Sequence, residues 1–120
     1  MTNTRASLGP WGESAAAKHL EQQGYTLLQR NWYCPYGEID LVMIQDETLV
    51  FVEVKTRRQS LTAAFASITP AKREKLVNAA EYYLTTHYPD APPDWRIDVV
   101  AVTLTDGQIQ IEHVEDALDW

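Results

Sequence analysis

From Gly37 to Arg57 the chain reads GEIDLVMIQDETLVFVEVKTR. Two apolar stretches rich in branched side chains, EIDLVMI and TLVFVEV, flank a short polar turn, and this pattern predicts a β-hairpin. Side chains alternate faces along a strand. Glu53 and Lys55 therefore share a face with Leu49 and Phe51, while Val50, Val52 and Val54 point the other way. By the same rule Asp40 shares a face with Glu38, Val42 and Ile44. A turn centred on Asp46-Glu47 puts Gln45 opposite Thr48, Asp40 opposite Glu53 and Glu38 opposite Lys55. Directly opposed residues have Cβ atoms roughly 4.5–5.5 Å apart. The hairpin then gathers three acids and a lysine on one face.

Facing carboxylates repel, and burying them uncompensated costs several kcal/mol or raises their pKa values. A divalent cation offsets that cost, and Mg²⁺ commonly takes one or two carboxylates together with water and substrate phosphates. A lysine beside such an ion can orient or deprotonate a water, or stabilise charge on a phosphorane. Acid, acid and lysine on one sheet face therefore match metal-assisted phosphodiester hydrolysis. The same residues also suit a cross-strand salt-bridge ladder at a wet sheet edge, with Glu38 on Lys55 and Glu53 on Arg57.

Around the hairpin the pattern predicts an α-β-β-β-α-β-β order. LGPWGESAAAKHLEQQG reads as a first helix over about residues 10–23, with Pro10 in its first turn and Gly24 at its stop. YTLLQRNWYC reads as a strand. TPAKREKLVNAAEYYLTTHY reads as a second helix, with Thr69 as N-cap and Pro70 in the first turn. Leu76, Ala79, Ala80, Tyr83 and Leu84 form its apolar stripe. WRIDVVAVTL and DGQIQIEHV supply the last two strands, and RRQSLTAAFASIT is a loop. A hairpin followed by a helical crossover implies a mixed sheet flanked by helices.

A chain of 120 residues suggests one domain, with residues 1–8 expected to be flexible. The single cysteine, Cys34, excludes an internal disulfide. No apolar run approaches a membrane span and the N-terminus lacks an apolar signal core, so a cytoplasmic protein is expected. The net charge of −7 argues against strong nonspecific DNA binding. Its distribution is uneven. Residues 1–54 sum to −4, residues 55–75 to +5 and residues 76–120 to −8. The positive block marks a local footprint for an anion.

Asp40 followed by Glu53-Val54-Lys55 resembles the PD-(D/E)xK signature of the restriction-endonuclease-like superfamily. GESAAAKHL, RN, GEIDLV, LVFVEVKTR, AKREKL, AAEYYL, RIDVVAV and IEHVEDAL together resemble the YraN-like family of small bacterial proteins. That family is inferred to be nuclease-like from its similarity to archaeal Holliday-junction resolvases. The resemblance implies a restriction-endonuclease-like α/β core and Mg²⁺, with Mn²⁺ as substitute. It implies metal ligation by Asp40, Glu53, the Val54 carbonyl and Glu13, with Asp40, Glu53 and Lys55 as the catalytic set. Glu38 is an accessory candidate, and Arg57, Lys72 and Arg73 are candidates for contacting nucleic acid. Lys72 and Arg73 lie at a helix N-terminus, where cations oppose the helix dipole unless a phosphate sits there.

The expected activity is metal-dependent endonucleolytic cleavage of DNA at branched or damaged structures. A resolvase acting on two strands would need a dimer. The alternative is a nucleic-acid-binding or scaffolding protein that keeps the nuclease fold without turnover. The three histidines lack metal-ligand spacing and read as packing or surface residues. Of the tryptophans, Trp11 lies nearest the expected site, Trp95 reads as core, and Asp98 interrupts an apolar strand where Arg96 could pair with it.

Overall fold

The computed structural model describes residues 4–57 and 68–117. The expected element order is found: α1 (Thr4–Gln22), β1 (Thr26–Cys34), β2 (Gly37–Gln45), β3 (Thr48–Arg57), α2 (Pro70–His87), β4 (Trp95–Thr105) and β5 (Gln108–Val114). The loop expected between β3 and α2 falls largely on residues 58–67, outside the described residues, as does Trp120.

The strands form one sheet in the order β1-β2-β3-β4-β5. Neighbours are antiparallel except β3 and β4, which are parallel and joined through α2. This is the mixed sheet flanked by helices expected of a restriction-endonuclease-like core. α1 covers one face, where Ala16, Ala17 and Leu20 pack on Leu41, Met43, Val50, Val52, Val100 and Val102. α2 covers the other, where its stripe from Leu76 to Leu84 meets Val42, Leu49, Phe51 and Ile97. β3 and β4 are apolar on both faces because helices cover both.

The helix ends follow local chemistry. Gly24, at φ +96°, lets the chain leave α1 through a left-handed residue. The Tyr25 amide then donates to the Leu20 carbonyl and the Gly24 amide to Glu21, the bond pair of a Schellman motif. At the start of α2, Thr69 Oγ1 accepts the Lys72 amide at 3.2 Å and Pro70 occupies the first turn. α1 differs from expectation. It begins at Thr4, so Pro10 lies inside it and not in its first turn. Proline removes only one intrahelical bond there, and burial of the following turns against the sheet outweighs local propensity.

Candidate metal and nucleic-acid site

The β2–β3 hairpin has the register its turn predicts: Gln45 pairs with Thr48 and Leu41 with Val52. Asp46 supplies the positive backbone angle of the turn, at φ +54°. The ladder stops at Leu41 and Val52, and beyond that pair the strands part. Strict alternation would set Ile39 beside Leu41 and Met43, yet Ile39 packs with the α2-side core and those two with the α1-side core. The break in alternation falls between Ile39 and Leu41, at Asp40. A residue at a strand fork reaches sideways toward the neighbouring strand. Asp40 Oδ2 accepts the backbone amide of Val54 on β3 at 2.8 Å.

Two groups of side chains meet at this fork. Carboxylate oxygens of Glu13, from α1, and of Glu38 and Asp40, from β2, all lie within 4.8 Å of one another. Glu53, from β3, stands beside Asp40, where a proton on either carboxyl would be shared between them. Burial, followed by this shared proton and the Glu53 charge, holds the Asp40 carboxyl far above the ordinary carboxylate range; the Val54 amide opposes the shift, and Glu13 adds to it. Lys55 Nζ stands 3.7 Å from Glu53 Oε2, with both side chains largely buried. This same-strand pair replaces the cross-strand ladder of Glu38 with Lys55 and Glu53 with Arg57.

α1 delivers Glu13 because Gly12 lets the helix come close. A Cβ at Gly12 would run into Thr56 Oγ1 on β3. Asn31 on β1 then holds two of the acids together. Its Nδ2 donates to Glu13 Oε1 at 2.9 Å and to Glu38 Oε1 at 2.7 Å. Asn31 has φ +51°, which asparagine tolerates better than most residues. Arg30 adds an ion pair to Glu13 at 3.7 Å. The sequence pattern alone assigns Asn31 no role. Cys34 pairs with Gly37 across a two-residue turn, and continuing that register places Asn31 opposite Asp40.

The other wall is basic. A cleft of about 220 Å³ opens between Glu53, Lys55, Lys72, Lys75 and Tyr36. The α2 crossover thus brings both ends of the positive segment to one place. The neighbouring Lys55 ammonium, with a smaller contribution from burial, holds Lys72 below its ordinary value, and Glu53 partly offsets this. Two ammonium groups held side by side favour an anion between them. Arg57 donates to the Thr56 carbonyl at 2.8 Å and adds its charge near Lys72. Arg73 lies one residue on in α2, half-buried, with its amide bonded to the Thr69 carbonyl.

The donors around Asp40 are all oxygens, a set that fits a hard divalent cation such as Mg²⁺ or Mn²⁺. Among the described residues no helix is long and apolar enough to cross a membrane. Trp11 packs on the α1-side core, and Trp95, expected in the core, is 36% exposed at the end of β4.

The chain is 45% identical over 122 residues to a UPF0102 protein of Roseiflexus castenholzii, covering 99% of this chain and 98% of that one. It is 42% identical to one from Herpetosiphon aurantiacus, covering 96% of each. A UPF0102 protein of Ectopseudomonas mendocina is 44% identical, covering 93% of this chain and 94% of its own length. Residues 12–102, from the glycine that seats α1 to the middle of β4, match the family described as uncharacterised protein family UPF0102. Together these likenesses bear out the resemblance seen in the motifs: the chain belongs to the UPF0102, or YraN-like, family.

Proposed function

We propose that this protein is a divalent-metal-dependent nuclease that hydrolyses DNA phosphodiester bonds, acting on branched or damaged structures. The observation that carries this reading is Asp40: a carboxyl with one amide donor, pressed against Glu53 and within reach of Glu13 and Glu38. Such an arrangement is costly as a structural device and useful as a cation site. Asp40 and Glu53, with the Val54 carbonyl and Glu13, hold Mg²⁺ or Mn²⁺, and Glu38 is the accessory acid. Such an ion, when bound, would supply a Lewis acid for a phosphoryl oxygen and a lowered pKa for a water. Lys55, 3.7 Å from Glu53 Oε2, orients the attacking water or stabilises charge on the phosphorane. Lys72, Arg57 and Arg73 neutralise flanking phosphates of a DNA strand. Cleavage of both strands at a junction would call for a homodimer.

Cleavage of duplex, single-stranded and junction DNA with Mg²⁺ and Mn²⁺ tests the reading. Loss of activity in both Asp40→Asn and Lys55→Ala is expected. Activity surviving both substitutions rules out the assigned chemistry.

One observation favours a second reading, a nucleic-acid-binding scaffold without turnover. Glu13 and Glu38 are already satisfied by Asn31 and Arg30 without a cation. Titration calorimetry separates the two, since a scaffold of this kind takes up no heat with millimolar Mn²⁺ while still binding junction DNA.

A further inference from the structure

We infer that the cleft along α2 that adjoins the lysine cleft at Tyr36 receives an unpaired nucleobase, so that the substrate carries a single-stranded segment next to the scissile phosphate; this rests on the phosphodiester reading above. Tyr36, in the turn between β1 and β2, lines the lysine cleft and also a second cleft of about 380 Å³ along α2. The two clefts meet at its ring. Tyr36 is 48% exposed and Tyr82, facing it from α2, is 41% exposed. Their centroids are 6.0 Å apart and the rings are tilted 66° to each other. Trp32 backs Tyr82 at 6.0 Å and stacks edge-on against buried Tyr83 at 5.0 Å. The platform is therefore held from behind, and little side-chain freedom is lost when a flat ligand settles on it.

The two clefts differ in chemistry. The first carries Lys55, Lys72 and Lys75 against Glu38 and Glu53, an excess of one positive charge that suits a phosphate. Among the described residues the second has no lysine or arginine, and its acid, Glu81, would repel a phosphate. The hydroxyls of Thr85 and Thr86 are turned back onto the carbonyls of Glu81 and Tyr82. That leaves the Asn78 amide and the Glu81 carboxylate to meet the polar edge of a ligand whose flat faces lie on tyrosine. A nucleobase has those faces and those edges. A backbone held by the lysines would present it there only when the base is free of its partner strand. Aromatic stacking explains the rings, and the charge contrast explains why base and phosphate sort into different clefts.

The test measures binding in EDTA, where no hydrolysis interferes. The probes are a short single-stranded deoxyoligonucleotide carrying a fluorescent adenine analogue, quenched on stacking, and its blunt duplex. The single strand is expected to bind with quenching. Tyr36→Ala and Tyr82→Ala should each weaken it roughly tenfold and relieve the quenching. Tyr36→Phe and Tyr82→Phe keep the rings and should stay near wild type. Duplex binding should be indifferent to all four substitutions. Equal losses on single strand and duplex, equal losses in the Phe and Ala variants, or no change on ring removal would each overturn the inference. So would an absence of single-strand binding, which would leave the rings to a protein partner. Ring-dependent quenching without cleavage of any DNA in Mg²⁺ or Mn²⁺ would instead defeat the hydrolysis reading and keep this one. Cleavage with ring-independent binding would do the reverse.

Discussion

Two inward-facing aspartates stand two strands apart, and their surroundings push them in opposite directions. Asp98 on β4 lies in the row of Val52 and Leu41, one residue from the row of Asp40. Its side chain is fully buried, and burial alone would raise its pKa. It accepts hydrogen bonds from His113 at 2.7 Å, from Arg96 at 2.9 Å and from the Asp116 amide at 2.9 Å. Those bonds and the Arg96 charge outweigh desolvation and hold the carboxyl below its usual range. An ionised carboxylate only accepts, so His113 carries its proton on Nε2. Arg96 also donates to Tyr25 at 2.7 Å and to Gln45 at 3.2 Å, which ties β4 to the exit of α1 and to the end of β2. Asp40 has one amide and a crowd of acids. A charge given all its partners fastens a fold, whereas a charge denied them keeps its capacity for a ligand.

The widest separation between the two should appear on substitution. Asp98→Ala leaves Arg96 and His113 facing a buried gap, and should cost about 3–5 kcal/mol in urea unfolding. Asp40→Asn keeps an acceptor for the Val54 amide and removes the cost of retaining a proton that the unfolded chain releases, so stability should be equal or higher without metal. Its cleavage should fall by at least the roughly 100-fold that loss of an outer-shell partner of a metal can cause. Equal destabilisation by both changes would break the contrast and make Asp40 a structural residue.

Metal should act on one side only. Mn²⁺ at about 100 times its Kd should stabilise the wild-type protein by about 2.7 kcal/mol. Thermal melting should show no such gain for Asp40→Asn. A gain that persists in the variant would place the cation elsewhere.

α1 spans both regions, since Glu13 leaves it toward Asp40 and Tyr25 follows it toward Asp98. Gly12→Ala would press a methyl group into Thr56 and lift the Glu13 end. A cost of about 1–3 kcal/mol is expected. Adding Thr56→Ala makes room and should recover most of it, a coupling that a double-mutant cycle in urea would measure. Additive losses would mean that the helix does not depend on this contact.

Register explains what could be read from the chain in advance. The Asp46-Glu47 turn sets the pairing of β2 with β3 from Gln45–Thr48 to Leu41–Val52, and Glu53 and Lys55 share the lysine cleft as alternation along β3 requires. The same arithmetic was available twice more. Asp106-Gly107, both with positive φ, joins β4 to β5 and pairs Thr105 with Gln108. That register places His113 on Asp98's face, although the histidine reads alone as a packing residue. The Pro35-Tyr36 turn likewise placed Asn31 by Asp40. The fork itself was not legible, because alternation assumes an unbroken ladder and the break lies in the backbone. Nor was the stacking pair, since Tyr36 and Tyr82 meet only once α2 has crossed the sheet. The start of α1 is not legible, because Pro10 signals a first turn and nothing local reveals that packing carries the helix past it.

The gentlest test follows the two carboxyls with pH in the metal-free protein. Asp98 has a depressed folded pKa, so its contribution to stability is present above its unfolded value, about 3.9, and is lost as pH falls through the folded value. Asp40 has a raised folded pKa, so its contribution is full below about pH 4 and is lost as pH rises through the folded value. Above about pH 4 the unfolded chain has released the Asp40 proton while the folded chain retains it. Unfolding free energy should therefore decline with rising pH, by at most about 1.4 kcal/mol per unit for the one proton. Urea titrations from pH 5 upward should show this decline in the wild-type protein and lose it in Asp40→Asn. Saturating Mn²⁺ should flatten or reverse it, because the ion takes the place of the proton and is held by the ionised form. A slope that survives Asp40→Asn would move the retained proton to another group and remove the contrast between the two aspartates.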